Sequence, residues 1–185
     1  LGKRQSHQLT AVWIGGNMAN GLVAARPAAI GGNATMIVRE VTSKSILTKS
    51  NLPECDYCIN PYVGCTHGCV YCYARFMRRF TGHSEPWGEF LDVKVNAAEV
   101  LRRQLAGARQ PGLALLGSVT DAYQPAERKY RTTRALLAAL VEAQWPVGIL
   151  TKSDLVLRDL DLLQQLKDCN VGLTITTLDE DARRH

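Results

Sequence analysis

Five of the six cysteines fall within an 18-residue stretch, as Cys55, Cys58, Cys65, Cys69 and Cys72, and only Cys169 lies elsewhere. Such clustering points to metal ligation, whereas a disulfide scaffold spreads its cysteines along a short secreted chain. The segment Asn60-Pro61-Tyr62-Val63-Gly64-Cys65-Thr66-His67-Gly68-Cys69-Val70-Tyr71-Cys72-Tyr73-Ala74-Arg75 spaces three thiols as Cys-x3-Cys-x2-Cys. Structural zinc takes four ligands that close a tetrahedron, commonly as paired Cys-x2-Cys knuckles. A cubane iron-sulfur cluster takes one cysteine per iron, so three thiolates leave one iron open to a non-protein ligand. An open iron is a catalytic arrangement. Gly64 and Gly68 suit a loop that must wrap such a group, because glycine adopts backbone geometry that side chains forbid.

The neighbouring residues have plainer readings. Cys55-x2-Cys58 is followed by no paired knuckle apart from the cysteine loop, so the pair reads as incidental free cysteines, with a redox disulfide as the remaining option. His67, between two candidate ligands, is expected to orient the loop through a hydrogen bond. Arg75, Arg78 and Arg79, and likewise Arg128, Lys129, Arg131 and Arg134, read as solvated helix faces. Cys169 is expected to be a buried small hydrophobe at a helix end.

The elements that must position these residues alternate. Leu113 to Leu116, Val147 to Leu150 and Val171 to Ile175 are nearly continuous apolar runs, which suit strands covered on both faces. A strand around Ile59 to Tyr62 precedes the cysteine loop, and a short one is expected at Met36 to Val41. Asn96 followed by Glu99 resembles a capping box, Leu136, Leu137, Leu140 and Val141 form an apolar helix stripe, and Leu157, Leu160, Leu163 and Leu166 form another. Thr177 followed by Glu180 announces a further helix. The pattern predicts an α/β fold with a parallel sheet and right-handed crossovers, of about four strand-helix units against the eight of a closed barrel. Hydroxyl and charged residues follow the strands: Ser118, Thr120 and Asp121, then Thr151, Lys152 and Ser153, then Thr174, Thr176 and Thr177. The carboxyl ends of parallel strands converge on the ligand site, so four loops are expected to enclose one pocket.

The chain has 185 residues, of which 46% are hydrophobic and 21% charged, which excludes a disordered polymer and two large domains. The 22 Lys and Arg against 17 Asp and Glu give a net charge of +5, which permits anionic partners without demanding them. Gln5 to Ala25 is uncharged but interrupted by Gly and Asn, so neither a membrane span nor a signal peptide is expected, and the protein reads as cytoplasmic. Residues 1–50 read as an N-terminal extension and 51–185 as the core. The chain opens on Leu1 and stops inside the helix signal at Thr177 to His185, so it is expected to be part of a longer barrel.

The cysteine loop resembles the signature of the radical SAM superfamily. More narrowly, residues 60–75 resemble the spore photoproduct lyase family and its "DNA repair photolyase"-like relatives. Further matching segments are Asp92-Val93-Lys94-Val95-Asn96, Thr120-Asp121-Ala122-Tyr123-Gln124-Pro125-Ala126-Glu127, Leu150-Thr151-Lys152-Ser153, Leu157-Arg158-Asp159-Leu160 and Thr174-Ile175-Thr176-Thr177-Leu178. The resemblance implies a partial (β/α) barrel in which Cys65, Cys69 and Cys72 hold a 4Fe-4S cluster whose open iron binds S-adenosylmethionine. It places Tyr71 near the adenine, and Thr120, Asp121, Lys152 and Thr174 around the methionine end, with Thr174 standing where a serine is expected. Tyr71 and Tyr73 match the catalytic tyrosines of the lyase.

The implied chemistry is one-electron cleavage of the sulfonium to a 5′-deoxyadenosyl radical that abstracts hydrogen, with the cofactor carrying the hard step. The implied partners are an external one-electron donor of flavodoxin or ferredoxin type and a substrate related to DNA or a nucleotide, with no membrane. Ser118 departs from the pattern, since the lyase places a hydrogen-donating cysteine there and a serine hydroxyl is a far poorer hydrogen-atom donor. The alternative function is a non-catalytic iron-sulfur or zinc-binding module in which the cysteines staple the loop.

Overall fold

A computed structural model describes residues 36–108 and 110–175. The helix signal at Thr177 and the segment before Met36 lie outside the described residues. Eight strands occur in chain order: β1 (Ile37–Val41), β2 (Leu47–Lys49), β3 (Tyr57–Ile59), β4 (Tyr62–Val63), β5 (Phe90–Lys94), β6 (Ala114–Leu116), β7 (Val147–Thr151) and β8 (Cys169–Leu173). The helices are α1 (Ala97–Gly107), α2 (Glu127–Tyr130), α3 (Thr132–Ala143) and α4 (Leu160–Leu163), and two 3-10 segments cover Tyr73–Phe80 and Asp154–Asp159.

Two sheets result. The larger has the order β2-β3-β6-β7-β8, with β2 antiparallel to β3 and the other four strands parallel and in sequence order. The smaller has the order β1-β5-β4, with β1 parallel and β4 antiparallel to β5. One face of the large sheet, carrying Ile59, Ala114, Leu116, Val147 and Ile149, packs with Leu101 of α1 and Leu136, Leu137 and Leu140 of α3 to form the main core. Each such side chain taken fully from water contributes about 1.5–3 kcal/mol, which fixes strand register because a one-residue slip turns every side chain over. The opposite face carries Cys58, Leu115, Gly148, Leu150 and Gly172, and there Leu150 is exposed. The apolar runs are therefore covered on one face only among the described residues.

Several sequence expectations are corrected. The strand expected at Ile59 to Tyr62 ends at Ile59, because Pro61 has no N–H to donate to a ladder; Tyr62 and Val63 turn away to pair with β5. Asn96 precedes α1 but makes no side-chain cap; its amide instead accepts from Ser43 N (2.8 Å) and donates to Ser43 O (3.0 Å). Of the Leu157, Leu160, Leu163 and Leu166 stripe, only Leu163 and Leu166 are buried, while Leu155 and Val156 take the inward positions. The 3-10 winding of Asp154–Asp159, at about 3.0 residues per turn, shifts the phase of the pattern. β8 begins two residues earlier than expected, which places Cys169 at a strand start rather than a helix end.

β1 and β2 are integral to the two sheets, and Gln104 of α1 clasps the segment before β2, accepting from Ile46 N and Leu47 N at 2.8 and 2.9 Å. No helix among the described residues is long and apolar enough to cross a membrane.

Candidate active site

The cysteine loop runs from Gly64 to Cys72 as two successive turns, with Gly68 N donating to Cys65 O at 3.1 Å and Cys72 N to Cys69 O at 3.0 Å. Gly64 has φ +89°, and a Cβ there would stand 2.5 Å from the Phe90 carbonyl oxygen, so the loop entrance presses directly on β5. At the far side Gly68 meets Gly88, where a Cβ on Gly88 would lie 2.9 Å from Gly68 Cα. Cys65 is buried against Ala74, Trp87 and Phe90, whereas Cys69 and Cys72 are half-buried. Burial pushes the Cys65 thiol up to about 11, so thiolate ligation there releases a proton.

What holds this loop is a polar clamp from the segment after β6. Gln124 has no exposed surface; its Oε1 accepts from Thr66 N at 2.9 Å and its Nε2 donates to Thr120 Oγ1 at 3.0 Å. Thr120 Oγ1 in turn donates to Gly64 O at 2.6 Å. The residues on both sides of Cys65 are thus fixed by one carboxamide and one hydroxyl. Asn60 closes the other flank, with its Oδ1 accepting from Val119 N and its Nδ2 donating to Ser118 Oγ, both at 3.0 Å. Burial pushes the Lys94 ammonium down, and that group donates to Asn60 O at 2.9 Å.

Asp121 ties the segment after β6 to the end of β7. Its Oδ1 accepts from Thr151 Oγ1 (2.6 Å) and Tyr123 N (2.8 Å), and its Oδ2 accepts from Lys152 N (3.0 Å). His67 Nε2 stands 3.4 Å from Asp121 Oδ2, an ion-pair distance without hydrogen-bond alignment. Burial alone would raise the Asp121 carboxyl; interactions with His67, Thr151, Lys152 N and Tyr123 N outweigh it and hold the group below its ordinary value. Thr174, after β8, is anchored by its N–H to Thr151 O at 2.8 Å.

Of the candidate residues, Tyr71 and Lys152 meet directly. Lys152 Nζ lies 2.5 Å from Tyr71 OH and 4.9 Å from the centre of its ring. Tyr73 donates to the Ser118 carbonyl, and burial raises its phenol, with Cys72 and Cys58 adding to the effect. Tyr71 and Tyr73 are 62% and 67% exposed, so both phenols line an open surface while Thr120 and Asp121 sit behind the loop. Thr120 and Asp121 spend their oxygens on the protein itself, which makes them positioning groups.

Sequence reading missed the supports behind this surface. Glu127 and Asp159, neither with exposed surface, share Arg158: Arg158 Nη2 donates to Glu127 Oε1 at 2.8 Å and to Asp159 Oδ2 at 2.7 Å. Tyr62 also donates to Glu127, and Arg134 bonds Asp159 (2.8 Å) and Asp161 (2.7 Å). Arg134 is accordingly an ion-pair partner and not a free solvated cation; likewise Arg75 bonds Val70 O and Arg78 bonds Ser84 O. His83 is pinned between Asp92 (2.9 Å) and Glu85 (3.1 Å) and stacks on Phe90 at 4.1 Å, which fixes the wall behind Cys65. Glu127, Arg158 and Asp159 lie within quoted segments, but hydropathy carries no signal that distinguishes a buried ion pair from a surface one.

The donor set can be tested against the two groups it could hold. Among the described residues no three His, Cys, Asp or Glu side chains are gathered to the reach of a single metal ion. A zinc site needs four donors within about 2.0–2.3 Å of one ion. A cubane spreads its thiolates over separate irons, and three thiols on one glycine-hinged loop are the number that leaves one iron open.

Comparisons with known proteins show the family of the chain. The family model described as "Radical SAM superfamily" matches residues 59–185. An uncharacterised protein of Methanocaldococcus jannaschii is 34% identical over 152 residues, covering 82% of this chain and 56% of that protein. One from Mycobacterium tuberculosis is 38% identical over 137 residues, covering 68% of this chain and 39% of its own length. A protein of Pseudomonas phage M6 named "Radical SAM Nalpha-GlyT isomerase" is 31% identical over 107 residues, 57% of this chain and 21% of that one. The chain thus spans about half, or less, of the curated relatives it matches. No solved structure matches.

Proposed function

Because the chain belongs to the radical SAM superfamily, we propose that it is the cofactor-binding part of a radical enzyme, with Cys65, Cys69 and Cys72 holding a 4Fe-4S cluster and the adjacent surface binding S-adenosylmethionine. The observation that carries this reading is the meeting of Tyr71, from the cysteine loop, with Lys152 after β7, next to Asp121, which stands 3.4 Å from His67 and accepts from Thr151 and from Lys152 N. A purely structural metal staple needs no such polar surface beside it. When bound, the cluster and S-adenosylmethionine supply a 5′-deoxyadenosyl radical for hydrogen abstraction.

The chain's own residues have distinct tasks in this proposal. Cys65, Cys69 and Cys72 are the thiolate ligands, and His67 steadies the loop against Asp121 without ligating. Tyr71 offers an aromatic face for the adenine, and the Lys152 ammonium beside it attracts the carboxylate of the methionine moiety. Thr174 adds a hydroxyl at the same end. Thr120 and Asp121 act through the backbone they hold, and Tyr73, tied to Ser118 O, is placed to act on substrate.

The finer reading is a partial (β/α) barrel in which the uncovered sheet face, with Leu115, Leu150 and Gly172, is the interior. Similarity to spore photoproduct lyase in the matching segments supports a nucleic-acid-related substrate. Ser118 in place of a thiol argues for a different hydrogen donor. The reductant is proposed to be a one-electron carrier of flavodoxin or ferredoxin type, and the location the cytoplasm.

Anaerobic reconstitution with iron and sulfide tests the reading. The expected result is a brown protein with about four irons per chain that forms 5′-deoxyadenosine only with reductant. A colourless protein that retains one zinc overturns it and returns the cysteines to a structural staple.

A further inference from the structure

The function proposed above gives Cys55 and Cys58 no task, and the structure changes what their spacing means. Along a regular strand, residues three apart face opposite sides of the sheet. Here the strand is bulged: Asp56 N and Tyr57 N both donate to the same carbonyl, Leu113 O, at 2.9 and 3.1 Å. Two residues at the entrance to β3 thus stand opposite one, a bulge-like step that lets Cys55, which precedes the strand, lie on the side of Cys58. The surroundings agree. Cys58 pairs in register with Leu115, and Cys55 shares a cavity of about 480 Å³ with Leu115, Gly148, Leu150 and Gly172, all on the uncovered face of the sheet. The Asp56 carboxylate is turned elsewhere, accepting from Leu113 N at 2.8 Å, which keeps the bulge in place.

Both thiols lie on the sheet face that is uncovered among the described residues. Cys55 Sγ lies 3.2 Å from Ser50 Oγ, and both cysteines are half-buried and free. Burial raises the Cys55 thiol, the Ser50 contact opposes this, and the adjacent Cys58 thiol raises it further. Two thiols are half of the four donors that a structural zinc takes.

We propose that Cys55 and Cys58 are a redox-active dithiol, separate from the cluster cysteines, that closes to a disulfide with oxidised glutathione and reopens with thiols. The exchange balances. One cysteine thiolate attacks glutathione disulfide, breaking its S–S bond, releasing one glutathione and leaving a mixed disulfide. The second cysteine thiolate attacks the mixed disulfide, forming the Cys55–Cys58 bond and releasing the second glutathione. Two electrons pass to glutathione, and the two cysteine protons end on the two glutathione thiols.

Peptide mapping tests this directly. The full chain, with or without reconstituted iron, is incubated with oxidised glutathione, alkylated without reduction and cut with chymotrypsin. Cleavage after Tyr57 parts Cys55 from Cys58, and cleavage after Tyr62 parts Cys58 from Cys65. The expected product is the two short peptides joined, lighter by two hydrogens than their sum and released by dithiothreitol. In Cys55→Ser or Cys58→Ser, circular dichroism is expected to be unchanged and the remaining cysteine to carry one glutathione. Separate alkylation of both cysteines after oxidation, or bridges that instead join them to Cys65, Cys69, Cys72 or Cys169, overturns the proposal. The reading does not require iron, so its failure is distinguishable from failure of the proposed enzyme.

Discussion

Gln124 holds Thr66: its side-chain oxygen accepts the Thr66 backbone N–H at 2.9 Å across 58 residues of chain, from a position with no exposed surface. The contact fixes the loop one residue beyond Cys65. Replacing Gln124 with Ala leaves the Thr66 N–H and the Thr120 hydroxyl without their partner in a buried setting, an expected loss of about 1–3 kcal/mol in denaturant titration. Iron bound after reconstitution should fall with it. Gln124→Glu keeps the acceptor for Thr66 and should recover part of the iron; equal iron in all three proteins would show that the clamp does not position the loop.

Arg158 and Arg102 make a contrast in ion-pair energetics. Arg158 serves two carboxylates with no exposure, so Arg158→Met strands buried charge and is expected to cost about 3–5 kcal/mol. Arg102 binds Glu142 with both side chains about half exposed, and Arg102→Met should cost at most about 1 kcal/mol, less at high salt. Urea denaturation of the two variants checks the order, and equal losses would contradict it.

At Gly88, φ is +105° and an added Cβ would meet the Gly68 backbone at 2.9 Å, whereas Gly82, at φ +69°, has open space around it. Gly82→Ala is therefore expected to show only the left-handed backbone penalty, about 1–2 kcal/mol. Gly88→Ala should lose more and should also lower iron uptake, because Gly68 lies between two ligands. Thermal melts and iron assays separate the two effects.

Lys152 is exposed and touches Tyr71, so its loss should leave the fold intact. Lys152→Met is expected to weaken S-adenosylmethionine binding roughly tenfold, equivalent to about 1.4 kcal/mol, with unchanged melting. Isothermal titration calorimetry on reconstituted protein reads the change, and undiminished affinity would remove Lys152 from the binding surface.

Cys65→Ala, Cys69→Ala and Cys72→Ala should each reduce reductant-dependent 5′-deoxyadenosine to background, while Cys55→Ala should not. Chromatography of reaction mixtures measures this, and loss of the cluster in Cys55→Ala would bring the upstream pair into the ligand set.

The sequence by itself determined the ligand spacing, the strand-helix alternation and which polar residues follow each strand, because these are local properties of residue type and period. Cys65, Cys69, Cys72, Asp121 and Lys152 are candidates on those grounds together with the family resemblance. The tertiary structure decided what each polar group spends its hydrogen bonds on. Thr120 and Asp121 occupy the strand-end positions expected of ligand contacts, yet they serve Gly64 O and the β7 backbone. Gln124, Glu127 and Asp159 carry no hydropathy signal for burial, since a polar residue is buried only where distant partners satisfy it. The pairing of Cys55 with Cys58 depends on a bulge imposed by Leu113, 56 or more residues away in sequence only by way of the folded sheet. Spacing along the chain names candidates, and long-range hydrogen bonding assigns their roles.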